Sequence, residues 1–255
     1  MQDLSGKKAV VIGGTGDIGL ATAKLLVGAG AQTIITGRKL ERARDRAASL
    51  GPLGSAMQVD PGSETDLNRL FAETGNFDYL LVTLGLQALA LPFVQLTDEI
   101  FQQALDGKFF YYTRTLRAAL GHVGESVTWL TGSAGRTALP GLGSYGATTG
   151  ALHGMLGSLA MELAPLRINC VASGLARTEF WSKLGMPAEA EAAMYEEGAK
   201  MLPVGYVAGP EDIAEAMFFA AVNRYSTGTI MDTSGGQPLG RLLPDERGAA
   251  FGAQA

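Results

Sequence analysis

The chain has 255 residues, and its 20 Lys and Arg against 25 Asp and Glu give a net charge of −5, which argues against nucleic acid or an anionic membrane as a partner. Cys170 is the only cysteine and the two histidines, His122 and His153, lie far apart, so neither a disulfide framework nor a metal site is expected. No apolar run reaches the roughly 18 residues of a membrane span, and no low-complexity linker divides the chain, which favours a single cytoplasmic domain.

Strand-like and helix-like segments alternate along the chain. Short apolar, β-branched runs bounded by glycines are typical of buried parallel strands, and longer segments with an apolar face are typical of helices. The predicted elements are strand 8–13, helix 20–27, strand 32–36, helix 41–50, a strand ending at 60, a helix through 67 and 71, strand 77–83, helix 98–120, strand 126–131, helix 144–163, strand 167–171, an irregular insertion, a helix from 211 and strand 228–232.

Seven strands joined by crossover helices predict an α/β fold with one doubly wound parallel sheet. In such a sheet the ligand lies at the carboxyl ends of the strands, at the point where the strand order reverses. The first strand and the segments that follow it are therefore the first place to look for a site.

A glycine loop, Gly13-Gly14-Thr15-Gly16-Asp17-Ile18-Gly19, follows the first strand and opens a helix. Glycines there permit positive φ and close approach, and backbone N–H groups at a helix N-terminus receive a pyrophosphate, so the loop predicts dinucleotide binding. Asp17 has two interpretations: it caps the helix, or its carboxylate crowds the pyrophosphate.

The end of the second strand indicates which dinucleotide binds. Gly37-Arg38 offers no carboxylate for a ribose 2′-hydroxyl, and the Arg38 guanidinium suits a 2′-phosphate, to which Thr15 would also contribute. The prediction is NADP(H). The alternative is that Arg38 is an ordinary solvated surface arginine.

Ser133 and the segment Ser144-Tyr145-Gly146-Ala147-Thr148-Thr149 carry the reactive side chains. Together with the glycine loop, this segment resembles the active site of the short-chain dehydrogenase/reductase family, and the resemblance covers almost the whole chain. It implies a Rossmann-type fold in which Tyr145 exchanges a proton with the substrate and Ser133 polarises the carbonyl. The family's lysine four residues after the tyrosine is replaced here by Thr149.

Lys108 is a candidate replacement for that lysine. It stands at a position that resembles the family's asparagine in the fourth-strand helix, and it falls within the apolar face marked by Leu105, Tyr112 and Leu116. A lysine is rarely buried without a reason, so we predict that its ammonium lies near Tyr145. The alternatives are a lysine that reaches a subunit boundary, or a helix phase that is shifted by one residue.

Four further positions match cofactor-contacting positions of the family. Thr178 matches the threonine that meets the cofactor near the nicotinamide, and Asp60 matches the residue at the adenine. Gly85, in a segment that replaces the family's asparagine-rich end of strand four, and Thr149, which replaces the lysine, complete the predicted set by position only. Asp60 before Pro61 is also a common turn residue.

The resemblance implies a catalytic domain over residues 1–236, with a substrate lid at about 175–207, and a C-terminal tail over 237–255. Apolar lid side chains, among them Phe180, Trp181 and Leu184, favour a bulky apolar carbonyl substrate, with residues 84–93 and 139–140 as further wall; they would equally suit a lid packed on its own protein. Gly146, Gly150, Gly154 and Gly157 form a stripe that allows another helix to approach closely, or that serves packing on the sheet. The resemblance implies that this helix builds a homodimer or homotetramer.

The sequence therefore predicts an NADPH-dependent reductase of a bulky apolar ketone. Reduction is favoured over oxidation because the missing lysine would have stabilised the Tyr145 phenolate that oxidation needs, whereas reduction uses the neutral phenol. Two alternatives stay open: an NADP(H)-binding protein without turnover, and a non-redox dehydratase or isomerase that reuses Tyr145. Consumption of the cofactor separates the first function from both alternatives.

Overall fold

The computed structural model describes residues 2–85, 91–138, 140–183 and 185–240. Seven strands form one sheet in the order β3-β2-β1-β4-β5-β6-β7, and every neighbouring pair is parallel. The predicted single α/β domain with a doubly wound sheet is confirmed. The strand order reverses between β1 and β4, which places the ligand crevice at the carboxyl ends of these two strands.

The strands are β1 (Lys8–Ile12), β2 (Gln32–Gly37), β3 (Gly54–Gln58), β4 (Phe77–Val82), β5 (Val123–Gly132), β6 (Arg167–Ser173) and β7 (Ile230–Thr233). The helices are α1 (Asp17–Gly28), α2 (Leu40–Ala48), α3 (Glu64–Thr74), α4 (Asp98–Ala104), α5 (Tyr111–Ala119), α6 (Gly143–Glu162), α7 (Phe180–Lys183), α8 (Ala188–Met201) and α9 (Pro210–Val222). Short 3₁₀ turns include Ser133–Gly135 after β5 and Gln237–Leu239 after β7.

Helices cover both faces of the sheet, so the central strands are buried on both faces rather than at alternate positions. On one face α1 packs over β1 and β2 and α9 packs over β4, β5 and β6, with Leu26 and Met217 fully buried. On the other face α3, α5 and α6 pack around Trp129 of β5. Among the described residues, no helix combines the length and the apolar character needed to cross a membrane.

Two predicted elements differ from the structure. The helix predicted over 98–120 is divided into α4 and α5 by one stretch of π-helix, Leu105–Phe110. The insertion predicted as irregular contains α7 and the long α8, whose composition of Ala, Glu, Met and Lys has high helix propensity.

Candidate active site

The glycine loop makes a tight connection from β1 to α1. Gly13 has φ of 81°, and a Cβ atom at Gly14 would lie 2.6 Å from Cβ of Ile35 in β2. A Cβ atom at Gly19 would lie 2.7 Å from the Gly13 carbonyl oxygen. Gly16 is the N-cap residue of α1 and carries no capping side chain, so the first N–H groups of the helix have no side-chain acceptor at this position.

Asp17 belongs to the contact between this loop and the lid. The interpretation of Asp17 as the helix cap is wrong, because α1 begins at Asp17 and its N-cap residue is Gly16. The Asp17 carboxylate instead accepts a hydrogen bond from the backbone amide of Glu179 at 2.8 Å, and Arg46 of α2 lies 3.9 Å away. The carboxylate is thus held by the segment that leads into α7.

The structure brings Thr15 and the end of β2 together, as the predicted phosphate site requires. A Cβ atom at Gly37 would lie 2.6 Å from Cγ2 of Thr15, so only a glycine allows this approach without a shift. Arg38 follows and is exposed. Its guanidinium has no ion pair or hydrogen bond with any residue that the structure describes, so it is available to an anion from solution.

The other predicted cofactor positions have local roles in the structure. The Asp60 carboxylate accepts a hydrogen bond from the Gly62 amide at 2.9 Å, which is the geometry of a turn residue. A Cβ atom at Gly85 would lie 4.0 Å from the Phe180 ring, so the lid reaches the end of β4. The Thr178 hydroxyl accepts a hydrogen bond from the Phe180 amide at 3.4 Å.

The Tyr145 ring lies at the carboxyl end of β5, which leads directly into Ser133. A Cβ atom at Gly132 would lie 2.6 Å from Cζ of Tyr145, so the phenol end packs directly on the residue before Ser133. Tyr145 as a whole is only half-buried, but burial of this end raises the pKa of the phenol to about 12. Ser133 is buried at 3% exposure.

Thr149 stands one helical turn after Tyr145 and is fully buried. Its hydroxyl donates to the Tyr145 carbonyl oxygen at 2.8 Å, as threonines within helices commonly do. The hydroxyl proton is therefore directed along α6 rather than towards the crevice.

Lys108 lies in the interior, as its place on the apolar face predicts, with only 2% of its surface exposed. Its Nζ donates to the carbonyl oxygens of Leu84 at 3.0 Å and Leu130 at 3.2 Å, and it lies 5.9 Å from the centre of the Tyr145 ring. The hydroxyl of Tyr112 lies 3.4 Å from Nζ. Burial lowers the pKa of the ammonium to about 7. Placement at the surface does not agree with this burial, and Lys108 is buried although a π-helical stretch interrupts the helix phase at this point.

The π-helical stretch Leu105–Phe110 contains Lys108. A π-bulge adds a residue to one turn and occurs frequently at functional sites. Here it sets the direction of the lysine, which points back to the carboxyl ends of β4 and β5. Across the described ranges no group of three or more His, Cys, Asp and Glu side chains is arranged to hold a metal ion.

Comparison with known proteins agrees with this geometry. A sequence model described as enoyl-(acyl carrier protein) reductase matches residues 14–237. The chain is 30% identical to the short-chain dehydrogenase/reductase ATR9 of Stachybotrys chlorohalonatus, over 92% of this chain and 98% of that protein. The chain belongs to the short-chain dehydrogenase/reductase family. Its seven-stranded parallel fold agrees with this membership.

Two further relatives of this short-chain dehydrogenase/reductase are informative. Carbonyl reductase family member 4 of Xenopus laevis is 29% identical, over 91% of this chain and 98% of that protein. A crystal structure of a small-chain dehydrogenase in complex with NADPH is 31% identical, with a TM-score of 0.80 over 92% of this chain and 99% of that chain.

Sequence reasoning missed one polar residue in this short-chain dehydrogenase/reductase site. Gln237 was assigned to the C-terminal tail, yet its side-chain oxygen accepts a hydrogen bond from Ser133 at 2.9 Å. The glycine pair before it, Gly235-Gly236, is the only local signal, and it indicates a turn without giving its direction. The rest of the tail, residues 241–255, lies outside the described residues.

The lid of this family member has its own small core. Tyr195, Leu202 and Val207 are buried together, and Trp181 and Met194 pack against them. Several apolar lid residues thus pack within the lid, while Phe180 faces the end of β4. Leu184, Leu139 and residues 86–90, which the sequence predicts as further lid and wall, lie outside the described residues.

Proposed function

We propose that this chain is an NADPH-dependent reductase of a bulky apolar ketone, with Tyr145 as the proton donor. The observation that carries the proposal is the Tyr145 phenol, which packs on Gly132 beside Ser133 and has a pKa raised to about 12. A carbonyl oxygen placed between the Tyr145 and Ser133 hydroxyls would meet one proton donor and one polarising group.

The described residues fit NADPH. Gly14 and Gly19 allow the loop to pack tightly on the protein, and the N–H groups at the start of α1, which have no side-chain cap, would hold a pyrophosphate. Thr15, which packs on Gly37, and Arg38, which follows Gly37 in the chain, would hold the 2′-phosphate. When bound, NADPH supplies the hydride for reduction. A similar solved structure contains NADPH, which supports the choice.

The state of Tyr145 supports reduction over oxidation. Reduction needs a neutral phenol that gives its proton to the developing alkoxide, and oxidation needs a phenolate that removes a proton. A phenol is neutral at pH 7, and raising its pKa to about 12 makes the phenolate that oxidation needs still less accessible. The chain therefore starts in the protonation state that reduction uses.

The Lys108 ammonium supplies the positive charge that the family's lysine, replaced here by Thr149, would otherwise provide. Its pKa of about 7 means that charged and neutral forms are both populated near neutrality, which suits proton exchange with a neighbouring group. It lies 5.9 Å from the centre of the Tyr145 ring, where a positive charge stabilises the electron-rich phenol as it loses its proton. Thr149 supplies no charge, so Lys108 is the cation that we assign to this role.

The apolar substrate is inferred from the lid. The Phe180 ring lies at the end of β4 and packs edge-on against Trp181, with ring centres 5.0 Å apart. An apolar lid beside a pair of hydroxyl groups favours a substrate with one carbonyl and a large hydrocarbon body. A relative named as a carbonyl reductase agrees with this substrate class.

The test is NADPH consumption with a panel of bulky apolar ketones, comparing the natural protein with Tyr145→Phe. Loss of the donor should lower kcat by roughly 10²- to 10⁴-fold while NADPH binding, followed by its fluorescence, is unchanged. Tyr225→Phe is the matched control, because it removes the same hydroxyl from a fully exposed side chain.

The two alternatives predict different results. Binding of NADPH without consumption on any ketone would favour a binding protein or a non-redox enzyme. One observation favours the binding protein specifically: within the described residues the Tyr145 hydroxyl has no hydrogen bond to Lys108 or to any other cation. Full turnover by Tyr145→Phe would instead exclude Tyr145 as the donor.

A further inference from the structure

The proton of Ser133 already has an acceptor in this structure. A serine hydroxyl carries one proton, and Ser133 donates it to the side-chain oxygen of Gln237 at 2.9 Å. A proton that is shared with Gln237 is not available to a substrate carbonyl. The proposed reaction therefore requires this hydrogen bond to be rearranged in every cycle.

The fold fixes the position of Gln237. After β7 the chain turns through Gly235 and Gly236, both with positive φ, of 66° and 85°. The turn continues into Gln237–Leu239, in which the backbone amide of Gln237 donates to the backbone carbonyl oxygen of Ser234 at 3.2 Å. A Cβ atom at Gly174, after β6, would lie 2.8 Å from Cα of Ser234. The turn thus packs against the carboxyl end of the sheet, and Gln237 is directed to Ser133.

The same turn packs against the end of the lid. A Cβ atom at Gly235 would lie 2.8 Å from Val204, and one at Gly236 would lie 2.8 Å from Pro203. The Val204 amide also donates to the Gly235 carbonyl oxygen at 3.3 Å. Displacement of the lid end would therefore move the turn that carries Gln237.

We propose that Gln237 is a positioning residue for Ser133, an inference that rests on the proposed reductase function. The side-chain amide of Gln237 carries an acceptor, Oε1, and a donor, Nε2, at similar distances from Cγ. Rotation of this amide group by half a turn therefore places Nε2 where Oε1 lies now. In that orientation Gln237 donates to the Ser133 oxygen and the Ser133 proton is released towards the substrate carbonyl. The hydrogen bond from Gln237 Nε2 to the Ser133 oxygen also polarises the Ser133 hydroxyl, which strengthens its own hydrogen bond to the substrate carbonyl.

Two variants separate this role from simple filling of space. Gln237→Leu keeps the approximate volume but removes the donor and the acceptor. Gln237→Glu keeps an acceptor for Ser133 but, when ionised, has no donor. Both should lower kcat by roughly 10-fold, because both lose the hydrogen bond that releases the serine proton. Leu239→Ala, in the same turn and 85% exposed, is the control and should leave kcat unchanged.

A double-mutant cycle with Ser133→Ala tests whether Gln237 acts through Ser133. If it does, Gln237→Leu should cause no further loss once the serine hydroxyl is absent. An equal loss in both backgrounds would overturn the proposal, because Gln237 would then act on the substrate or on the fold. An unchanged or increased kcat in Gln237→Leu would overturn it as well, since Gln237 would then only occupy the place of the substrate. NADPH binding and thermal unfolding identify variants that fail to fold.

The cycle can also be measured without turnover. Calorimetry of ketone binding in the presence of NADP⁺ gives the affinities of the natural protein and the same variants. If the protein binds ketones but reduces none, the reductase function fails, and a non-additive binding cycle still supports the positioning role. Additive effects on binding, or no binding of any ketone, would overturn the role of Gln237.

Discussion

The carboxylate of Asp17 accepts a hydrogen bond from the backbone amide of Glu179 at 2.8 Å, across 162 positions of sequence. The Glu179 carboxylate forms ion pairs with Arg42 at 2.9 Å, with Arg46 at 3.4 Å and with Lys183 at 2.6 Å. These five residues, here called the Glu179 cluster, join the glycine loop, α2 and the first turn of the lid. The position of the segment that leads into α7 and the position of the glycine loop are therefore linked.

The first prediction concerns the stability that the Glu179 cluster provides. Hydrogen bonds from Lys183 and Arg42 lower the pKa of Glu179 to about 2, from an ordinary value of 4.5. The folded state thus favours the ionised form, and this stabilisation is present above pH 4.5 and is lost as the pH falls towards 2. Because the carboxylate is 44% exposed, solvent screening limits its contribution to less than about 1 kcal/mol.

Glu179→Gln should therefore unfold at a slightly lower temperature than the natural protein at pH 7, and the difference should shrink below pH 4.5. Thermal unfolding followed by circular dichroism at several pH values measures both. Glu196→Gln, which removes an exposed ion pair with Lys200 on α8, is the control. A difference for Glu179→Gln that stays constant down to pH 3 would contradict the assignment.

The second prediction concerns Lys108 and the pH dependence of stability. Its pKa of about 7 in the folded protein lies below the ordinary value of 10.5. Between these two values the unfolded chain binds more protons than the folded one, so the free energy of unfolding should rise with pH. One such group contributes at most about 1.4 kcal/mol per pH unit.

Lys108→Met should flatten this rise and should also lower kcat if the lysine has the proposed role. Urea unfolding at pH 7, 8.5 and 10 measures the first effect, and NADPH consumption measures the second. Lys24→Met, at an exposed position of α1, is the control for loss of one lysine. If the free energy of unfolding depends on pH in the same way in the natural protein and in Lys108→Met, the pKa of the Lys108 amine is not lowered by burial. If Lys108→Met keeps full turnover of NADPH, Lys108 has no role in the mechanism.

Much of this arrangement follows from patterns that are local in sequence. The apolar run from Lys8 and the glycines after it predict β1, the loop and α1, because burial on both faces of a parallel sheet needs such runs. The burial of Lys108 also follows from helical spacing, since Tyr112 four residues later lies on the same face. These predictions depend on neighbours within a few residues.

The features that were missed depend on contacts between distant segments. The π-helical stretch Leu105–Phe110 changes one turn inside a sequence that still has helical spacing, so the pattern gives no sign of it. The contacts of Asp17 with Glu179 and of Ser133 with Gln237 form when the lid and the last turn pack on the sheet. No short-range rule connects positions that are more than one hundred residues apart.

The third prediction concerns the choice between NADPH and NADH. Arg38→Ala removes the exposed guanidinium of the residue that follows Gly37, and with it the charge-assisted hydrogen bonds proposed for the 2′-phosphate. The dissociation constant of NADPH should rise roughly 10- to 100-fold, while that of NADH, which lacks the phosphate, should hardly change. Fluorescence titration with both cofactors measures this. Arg44→Ala, an exposed arginine on α2, controls for net charge. An equal effect on both cofactors would contradict the phosphate role.

The last prediction concerns assembly through α6. The glycine stripe divides into two parts: a Cβ atom at Gly146 would lie 2.9 Å from the Ala134 carbonyl oxygen, whereas one at Gly154 or Gly157 would meet no described atom within 4 Å. The first part serves packing within the chain. The second is exposed and continues to Met161, which is 82% exposed, so a second copy of the chain is the occupant that we infer for this face.

If α6 forms the contact, Gly154→Arg should dissociate the oligomer, because a long charged side chain would prevent the close approach that glycine permits. Size-exclusion chromatography with light scattering gives the mass of the natural protein and the variant. Gly28→Arg is the matched control, since Gly28 is also an exposed helical glycine with no described atom within 4 Å of its Cβ position. A monomeric natural protein, or an oligomer that survives Gly154→Arg, would exclude this face and leave assembly to another surface.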